Sequence, residues 1–390
     1  MDTTTALLVL FFIFSLLVSG GVGGFFYWIN EKKKKAREDM SIDSVLLQIA
    51  VPKNNEIKID AMDQFFSALA AIKEKTSPLN SKVAPSVSFE IVARAEDIKF
   101  YIWTPIKYRD LIEKQVHGAY PDAEILEVQE YNIFTEHGKV AYKELQLDKE
   151  NYYPIKTFKD LPTDPLASLT SALAKMGKDE SAAIQVLVRA ADSGWQKQGS
   201  GYISQTKKQE SDPEKAKHSV SSKELEAVEN KISKLGLETT IRIVVVANDQ
   251  GVADAHLTNI NSTFAQFSSD LNRFSSKSIR NKGAFVEDFL YRYQPVWDIM
   301  NKASILNSEE LATVFHFPNK QITTPHIHWL YSKTAPAPAQ IPTEGLFLGT
   351  STYRGTSRPV YISDFDRQRH MYIIGKTGTG KSEFLKDLIM

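Results

Sequence analysis

The chain has 390 residues, 42% hydrophobic and 24% charged, and its 47 basic and 47 acidic side chains cancel to a formal net charge of zero. That length allows two or three domains with real cores, and the neutral balance gives no general argument for a polyanionic partner. Cysteine is absent, which excludes disulfides, thiol catalysis and cysteine-ligated zinc. The eight histidines form no H-x-x-x-H pair, and His326 and His328 read as alternate side chains of one strand, not as metal ligands.

From Ala6 to Ile29 the sequence carries no charge and is dominated by Leu, Val, Phe and Ile. About 20 apolar residues suffice to cross a bilayer, so the pattern predicts a transmembrane helix, with Tyr27 and Trp28 at its interface. Lys32, Lys33, Lys34, Lys35 and Arg37 follow, and the positive-inside rule then keeps that flank and the bulk of the chain cytoplasmic. A cleaved signal peptide competes, with small residues at Val18-Ser19-Gly20. Asp2 and the lack of Lys or Arg before the span favour an uncleaved anchor. Gly20 and Gly24 form a G-x-x-x-G, common in such spans and sometimes a helix-packing motif.

Residues 39–135 alternate between strand and helix patterns. Val45–Val51 is an apolar run. Met62, Phe65, Phe66, Leu69 and Ile72 recur at helical spacing. Val87, Phe89 and Ile91 alternate, as do Ile98, Phe100 and Ile102, around a turn at Arg94–Asp97. Tyr108, Leu111, Ile112 and Val116 make a second helical face, and Ile125–Val128 closes the set. The order β-α-β-β-α-β is that of a ferredoxin-like split βαβ module. Tyr101 and Trp103 fall opposite Phe100 and Ile102, on a face that is either exposed for a partner or packed against the next module.

Residues 136–332 repeat this plan more loosely. Strands are expected at Lys139–Leu147, Ala183–Val188 and Ile241–Val246. Helices are expected at Pro165–Lys175, Trp195–Lys208, Leu225–Leu235 and Ala253–Phe267. The stretch 209–222 is almost devoid of apolar residues and reads as a disordered insertion. Arg273, Lys277, Arg280 and Lys282 form a basic loop whose charges allow contact with DNA phosphates, although such runs are more commonly just solvated. Another strand is expected between Phe285 and Trp297. Asn307 then caps a helix, with Glu310 reaching back.

A Pro-rich linker over 333–344 separates these modules from residues 345–390. Leu346–Gly349 and Val360–Ile362 read as a hairpin, and His370–Ile374 as a buried strand. Gly375-Lys376-Thr377-Gly378-Thr379-Gly380-Lys381-Ser382 satisfies G-x-x-x-x-G-K-[ST], and Glu383–Ile389 has the pattern of a helix. Strand, glycine loop and helix together aim backbone N–H groups at an anion. The motif calls for ATP and Mg²⁺, with Lys381 neutralising the β/γ-phosphates and the Ser382 hydroxyl on the metal ion. Thr379 adds its backbone N–H. The acidic strand and the water-orienting group of such an enzyme lie downstream of the loop, so these residues are expected to be the front of a longer ATPase and to hydrolyse nothing alone.

The stretch from Gly345 to Ile389, with its G-x-T-G-x-G-K-S loop, resembles the start of the motor in the HerA/FtsK superfamily. It is most similar there to type IV secretion and conjugation coupling ATPases of the TraD/TraG kind. Ser308–Pro318 (SEELATVFHFP) also resembles the segment that precedes the motor in bacterial relatives. The resemblance implies an α+β chain: a transmembrane helix, two ferredoxin-like modules and the start of a RecA-like P-loop domain. It implies a homo-hexamer at the bacterial inner membrane that couples ATP hydrolysis to movement of DNA or DNA-linked protein, with secretion-channel proteins as partners. Arg367 and Arg369 would then contact nucleotide or a neighbouring subunit, unless they are flanking surface charge. Two other readings stay open: an assembly ATPase that does not act on DNA, and a non-catalytic tethered module that binds proteins.

Overall fold

The computed structural model describes residues 3–69, 72, 85–210, 222–279, 281–294, 303–330, 335–353 and 356–389, apart from the side chains of residues 3–10, 26, 29, 30, 33, 34 and 210. Most of the expected insertion at 209–222, together with Arg280, Trp297 and Thr334, lies outside the described residues. The chain forms two compact units, Met1–Leu330 and Tyr331–Met390.

The first unit is built on one nine-stranded sheet. Its first half comprises β1 (Ser44–Ala50), α2 (Asp60–Ala68), β2 (Val87–Arg94), β3 (Asp97–Pro105), α3 (Arg109–Ala119) and β4 (Glu124–Val128). The second half comprises β5 (Lys139–Leu147), α4 (Pro165–Leu173), β6 (Ser181–Ala190), β7 (Gly236–Ala247), α7 (Gln250–Thr263) and β8 (Phe274–Ser276). The helices α5 (Gly194–Glu210) and α6 (Ser222–Ile232) are inserted between β6 and β7. The strand order is β4-β1-β3-β2-β6-β7-β5-β8, with β9 (Ser304–Asn307) beside β7. Each half therefore has the strand order of a split βαβ module, and the two meet edge to edge at β2 and β6. The register there runs unbroken from Val87↔Val188 to Arg94↔Ser181. Pairing hides two strand edges that separate modules would leave open.

Alternation along the strands gives the sheet two different faces. Val87, Phe89 and Ile91 of β2, with Ile184 and Val186 of β6 and Ile241 and Ile243 of β7, join the main core beneath α2, α3, α4 and α7. The helix α9 (Ser308–Val314) and the following Phe315 and Phe317 fill the middle of that face. Phe315 lies 5.3 Å from Phe89 and 6.2 Å from Phe100, and Phe317 stands edge-on to Tyr120 at 5.1 Å. Such aromatic pairs add about 0.5–1.5 kcal/mol each beyond the area they bury. Asn307 and Glu310 form a full capping box at the start of α9. Glu310 also accepts from Ile155 N and pairs with the buried Lys231 at 3.0 Å. The SEELATVFHFP segment is thus a clasp between the two halves.

Several sequence expectations are corrected. The transmembrane anchor over Ala6–Ile29 is not supported, because among the described residues no helix is long and apolar enough to cross a membrane. The helix there, α1 (Thr3–Ile42), does not stop at the apolar boundary but runs on through Lys32, Lys35 and Arg37. The side chains of residues 3–10 lie outside the described ones. The single-pass topology and inner-membrane location were drawn from that anchor and lose it as their support. The two modules are halves of one sheet, not separate domains. Tyr101 and Trp103 are buried. They face α8 (Lys282–Leu290), which occupies the place of the strand expected after Phe285.

The second unit holds β10 (Leu346–Tyr353) and β11 (Thr356–Ile362), paired antiparallel, then the short α10 (Asp364–Arg367) and α11 (Lys381–Ile389). None of its described residues is buried. Met371, Tyr372 and Ile374 are exposed, and His370–Ile374 is irregular, not a strand. An apolar extended run becomes a strand only when a neighbour takes its ladder hydrogen bonds, and none of the described residues does so. The expected parallel strand of a RecA-like domain is therefore missing from the described residues.

Candidate functional site

The glycine loop has the local geometry that its sequence calls for. Gly378 (φ +84°) and Gly380 (φ +81°) occupy the left-handed region, which a side chain would strain. At Gly375 the constraint is contact: a Cβ there would meet Thr379 Oγ1 at 2.7 Å and Lys381 Cγ at 3.1 Å. The loop thus wraps back on its own first residue. Thr379 Oγ1 donates to Lys376 O at 2.7 Å, and its N–H donates to the same carbonyl at 3.3 Å. The Lys381 ammonium donates to Lys376 O at 2.6 Å and to Gly375 O. Phe384 N donates to Gly380 O at 2.9 Å, so helical bonding begins at the last glycine.

The structure therefore puts Lys381 and Ser382 in the first turn of α11, where N–H groups lack intrahelical acceptors and the helix dipole favours an anion. Gly375, Lys376, Thr377, Gly378, Thr379 and Gly380 form the turn ahead of it. The residues present fit a phosphate ligand and a Mg²⁺ ion beside it: one half-buried cation at Lys381, one exposed hydroxyl at Ser382 and a row of amides in an exposed loop. Arg367 and Arg369 serve the local fold instead. Arg367 donates to Leu388 O at 3.4 Å and lies 3.6 Å from Asp364. Arg369 lies 3.8 Å from Asp366 and over the Phe365 ring. Among the described residues there is no cluster of His, Cys, Asp and Glu able to hold a metal ion. His328 faces Asp97 at 3.4 Å, and His326 sits at φ +66° in a turn.

A second constellation, in the first unit, escaped the sequence reading. Five polar residues stand side by side across the sheet: Tyr101 opposite Glu90, Glu90 opposite Gln185, Gln185 opposite Arg242, and Arg242 opposite Glu144. Glu90 is fully buried and accepts from Ser88 Oγ (2.6 Å), Tyr131 Oη (2.8 Å), Gln185 Nε2 (3.1 Å) and both Arg292 Nε (2.7 Å) and Nη2 (3.1 Å). Burial opposes its charge, but Arg292 and these hydrogen bonds outweigh it and hold the carboxyl below its usual range. Burial, with Asp97 and Glu90 nearby, pushes the Tyr101 hydroxyl up to about 12. Tyr131 is raised too, by burial first and by Glu90 second. The signal in the sequence was alternation itself. Ser88-x-Glu90, Gln185 and Arg242 interrupt otherwise apolar strands on the same face.

Two clefts open on the first unit. One of about 500 Å³ is lined by Asp164, Asn319 and Lys320. The other, of about 760 Å³, is lined by Lys159, Lys231, Lys234, Glu309 and Glu310. Their charges are mutually neutralised: Lys320 pairs with Glu56, Lys159 and Lys234 with Glu309, and Lys231 with Glu310. Asp164 is engaged by His316 Nε2 (2.9 Å) and Asn319 Nδ2 (2.8 Å).

Comparison with family models gives one match, to the domain of unknown function DUF8128, over residues 29–330. The chain belongs to that family. The DUF8128 match ends where the sheet unit ends, so the glycine loop lies outside it. No curated protein matches the chain. Among solved structures, it is similar to aclacinomycin oxidoreductase at 12% identity and a TM-score of 0.28, covering 58% of this chain and 41% of that one. The chain thus spans well under half the length of that protein, and a likeness of this size carries no argument about fold or activity.

Proposed function

We propose that Gly375–Ser382 binds the phosphates of Mg²⁺-ATP and that the DUF8128 unit is the folded platform that precedes this nucleotide site. The observation that carries the reading is the pair of left-handed glycines directly before a helix that starts at Lys381. In this role the Lys381 ammonium leaves the carbonyls of Gly375 and Lys376 for the β/γ-phosphate oxygens, while amides of the loop and of the first turn of α11 donate to the rest. The Ser382 hydroxyl holds the Mg²⁺ ion, which when bound offsets phosphate charge. On the motif resemblance, the larger task is ATP-driven movement of DNA or DNA-linked protein by a homo-hexamer that meets secretion-channel proteins.

The test is calorimetric titration of the chain with ATP and ADP, each with Mg²⁺, alongside Lys381→Ala. Saturable binding that weakens at least about a hundredfold in the variant (about 2.7 kcal/mol) supports the site. Equal binding by both proteins overturns it. In a protein that carries a full motor, DNA-stimulated turnover favours translocation, and turnover indifferent to DNA favours the assembly-ATPase reading.

A further inference from the structure

The row of polar residues on the sheet is not open to solvent. Beside Tyr131, Ile133 and Phe134, it is covered by one long segment, α8 and the residues after it, Lys282–Gln294. No ladder bond joins it to a strand in the sheet topology. Sheet side chains reach up to its backbone carbonyls instead. Arg242 donates to Asp288 O (2.9 Å) and Tyr293 O (2.7 Å), Gln185 to Phe289 O (3.1 Å) and Arg189 to Gln294 O (3.1 Å). Its apolar contact rests on Phe285 and Phe289, which belong to a small cluster separate from the main core.

The attachment is also incompletely matched. Arg292, which closes the ion pair with Glu90, holds a left-handed backbone at φ +49°, a conformation that costs a non-glycine residue and persists only where surroundings enforce it. Of the six buried side-chain N and O atoms without a hydrogen-bond partner among the described residues, four lie in or against this segment: Trp103 Nε1, Arg37 Nε, and Gln294 Nε2 and Oε1.

On its outer side the segment is held by α1. Arg37 is 4% exposed and donates to Asp288 Oδ1 (3.0 Å) and Glu287 Oε2 (3.2 Å). Its guanidinium lies over the rings of Tyr291 (4.8 Å) and Tyr293 (5.6 Å). One arginine thus touches four side chains of the segment. Segments of this kind, with few buried apolar contacts, open as local units ahead of the global fold.

We propose that Lys282–Gln294 is a strap that opens from the sheet as a unit, and that Arg37 bolts it shut, so that moving the C-terminal turn of α1 uncovers the Glu90–Gln185–Arg242 row. Docking of α1 and closure of the strap are then one coupled event. The absence of cysteine allows a direct test. Ala182 and Ala183 are both 0% exposed neighbours on β6, but Ala182 faces the main core and Ala183 faces the strap cluster. Thiol labelling of Ala183→Cys in the full chain is expected to be at least about tenfold faster than that of Ala182→Cys, which waits for global unfolding. Adding Arg37→Ala, which removes two charged hydrogen bonds, is expected to speed labelling of Ala183→Cys a further tenfold or so and to leave Ala182→Cys unchanged. Equal rates at the two positions, or a rate at Ala183→Cys indifferent to Arg37→Ala, overturn the proposal. Should either cysteine variant misfold, hydrogen exchange in the unsubstituted chain decides. Strap amides that exchange ahead of β2, β6 and β7, and faster still in Arg37→Ala, support the latch, whereas exchange in a single global step refutes it.

Discussion

The sheet unit and the C-terminal unit are opposite solutions to the use of a polypeptide. In the sheet unit, Phe65, Phe66, Phe89 and Phe315 are buried against one another, and even charged groups such as Glu90 and Lys231 are sealed in with partners. In the C-terminal unit no described residue is buried, and the proposed site rests on left-handed backbone at Gly378 and Gly380 and on the side chains of Lys381 and Ser382. Stability in the first resides in tertiary contacts summed over the sheet. In the second, the proposed nucleotide site is eight consecutive residues, whose shape depends on local φ values and a helix start. Substitutions should therefore separate cleanly, with fold-breaking ones in the first unit and ligand-breaking ones in the second.

The largest effect is expected at Phe89, which is fully buried and makes aromatic contacts with Phe65, Phe66 and Phe315. Phe89→Ala should cost about 3–5 kcal/mol of unfolding free energy, read by urea denaturation, while leaving ATP binding by any folded fraction intact. A loss below about 1 kcal/mol would show that the clasp does not bind the two halves through this cluster. Glu90→Gln should cost about 3 kcal/mol, because it removes the buried one of Arg292's two carboxylate partners and leaves only the exposed Glu130 at 2.8 Å. Replacing Glu90 and Arg292 together should cost less than Glu90→Gln alone. A double variant as unstable as the sum of the single ones would deny the coupling.

Acid should act on the same unit. The carboxyls of Glu90 and Asp164 are lower in the folded protein than in an unfolded chain. Their contribution is therefore fully present above the unfolded values of about 4 and is lost as pH falls through the folded ones. Melting temperature should hold between pH 5 and 7, on the order of the usual plateau, and drop below about pH 4. Glu90→Gln should flatten that drop. The smallest effect is expected at the cap of α9: Asn307→Ala should cost about 1 kcal/mol, and its failure to shift the melt would mean that Lys231 and Ile155 alone position Glu310.

Legibility in the sequence followed the range of the interactions. The loop at Gly375–Ser382 could be read because each of its requirements is local: a glycine where φ is positive, a lysine and a serine at the helix start. The capping box at Asn307 and Glu310 was legible for the same reason. The β-α-β-β-α-β order of each half came from apolar periodicity. What periodicity could not show was that β2 and β6 pair, since two separate modules and one joined sheet have the same alternation. Tyr101 and Trp103 were placed on a face of unknown cover because much of that cover, α8 and Arg292 after it, lies far along the chain. His370–Ile374 has the composition of a strand but no described neighbour to pair with, and a strand is defined by its neighbour.

By itself the sequence determined most strands and helices of the sheet unit, which strand faces are apolar, and that a glycine turn precedes a helix at Lys381, because these depend on residue spacing and on φ preferences within a few residues. Only the tertiary structure decided three other things. The two halves share one sheet, α1 continues past its apolar stretch to dock Arg37, and Glu90, Gln185, Arg242 and Arg292 meet under a strap. Each of these rests on contacts between residues scores or hundreds of positions apart, where the energy lies in burial and charge pairing that no local pattern records.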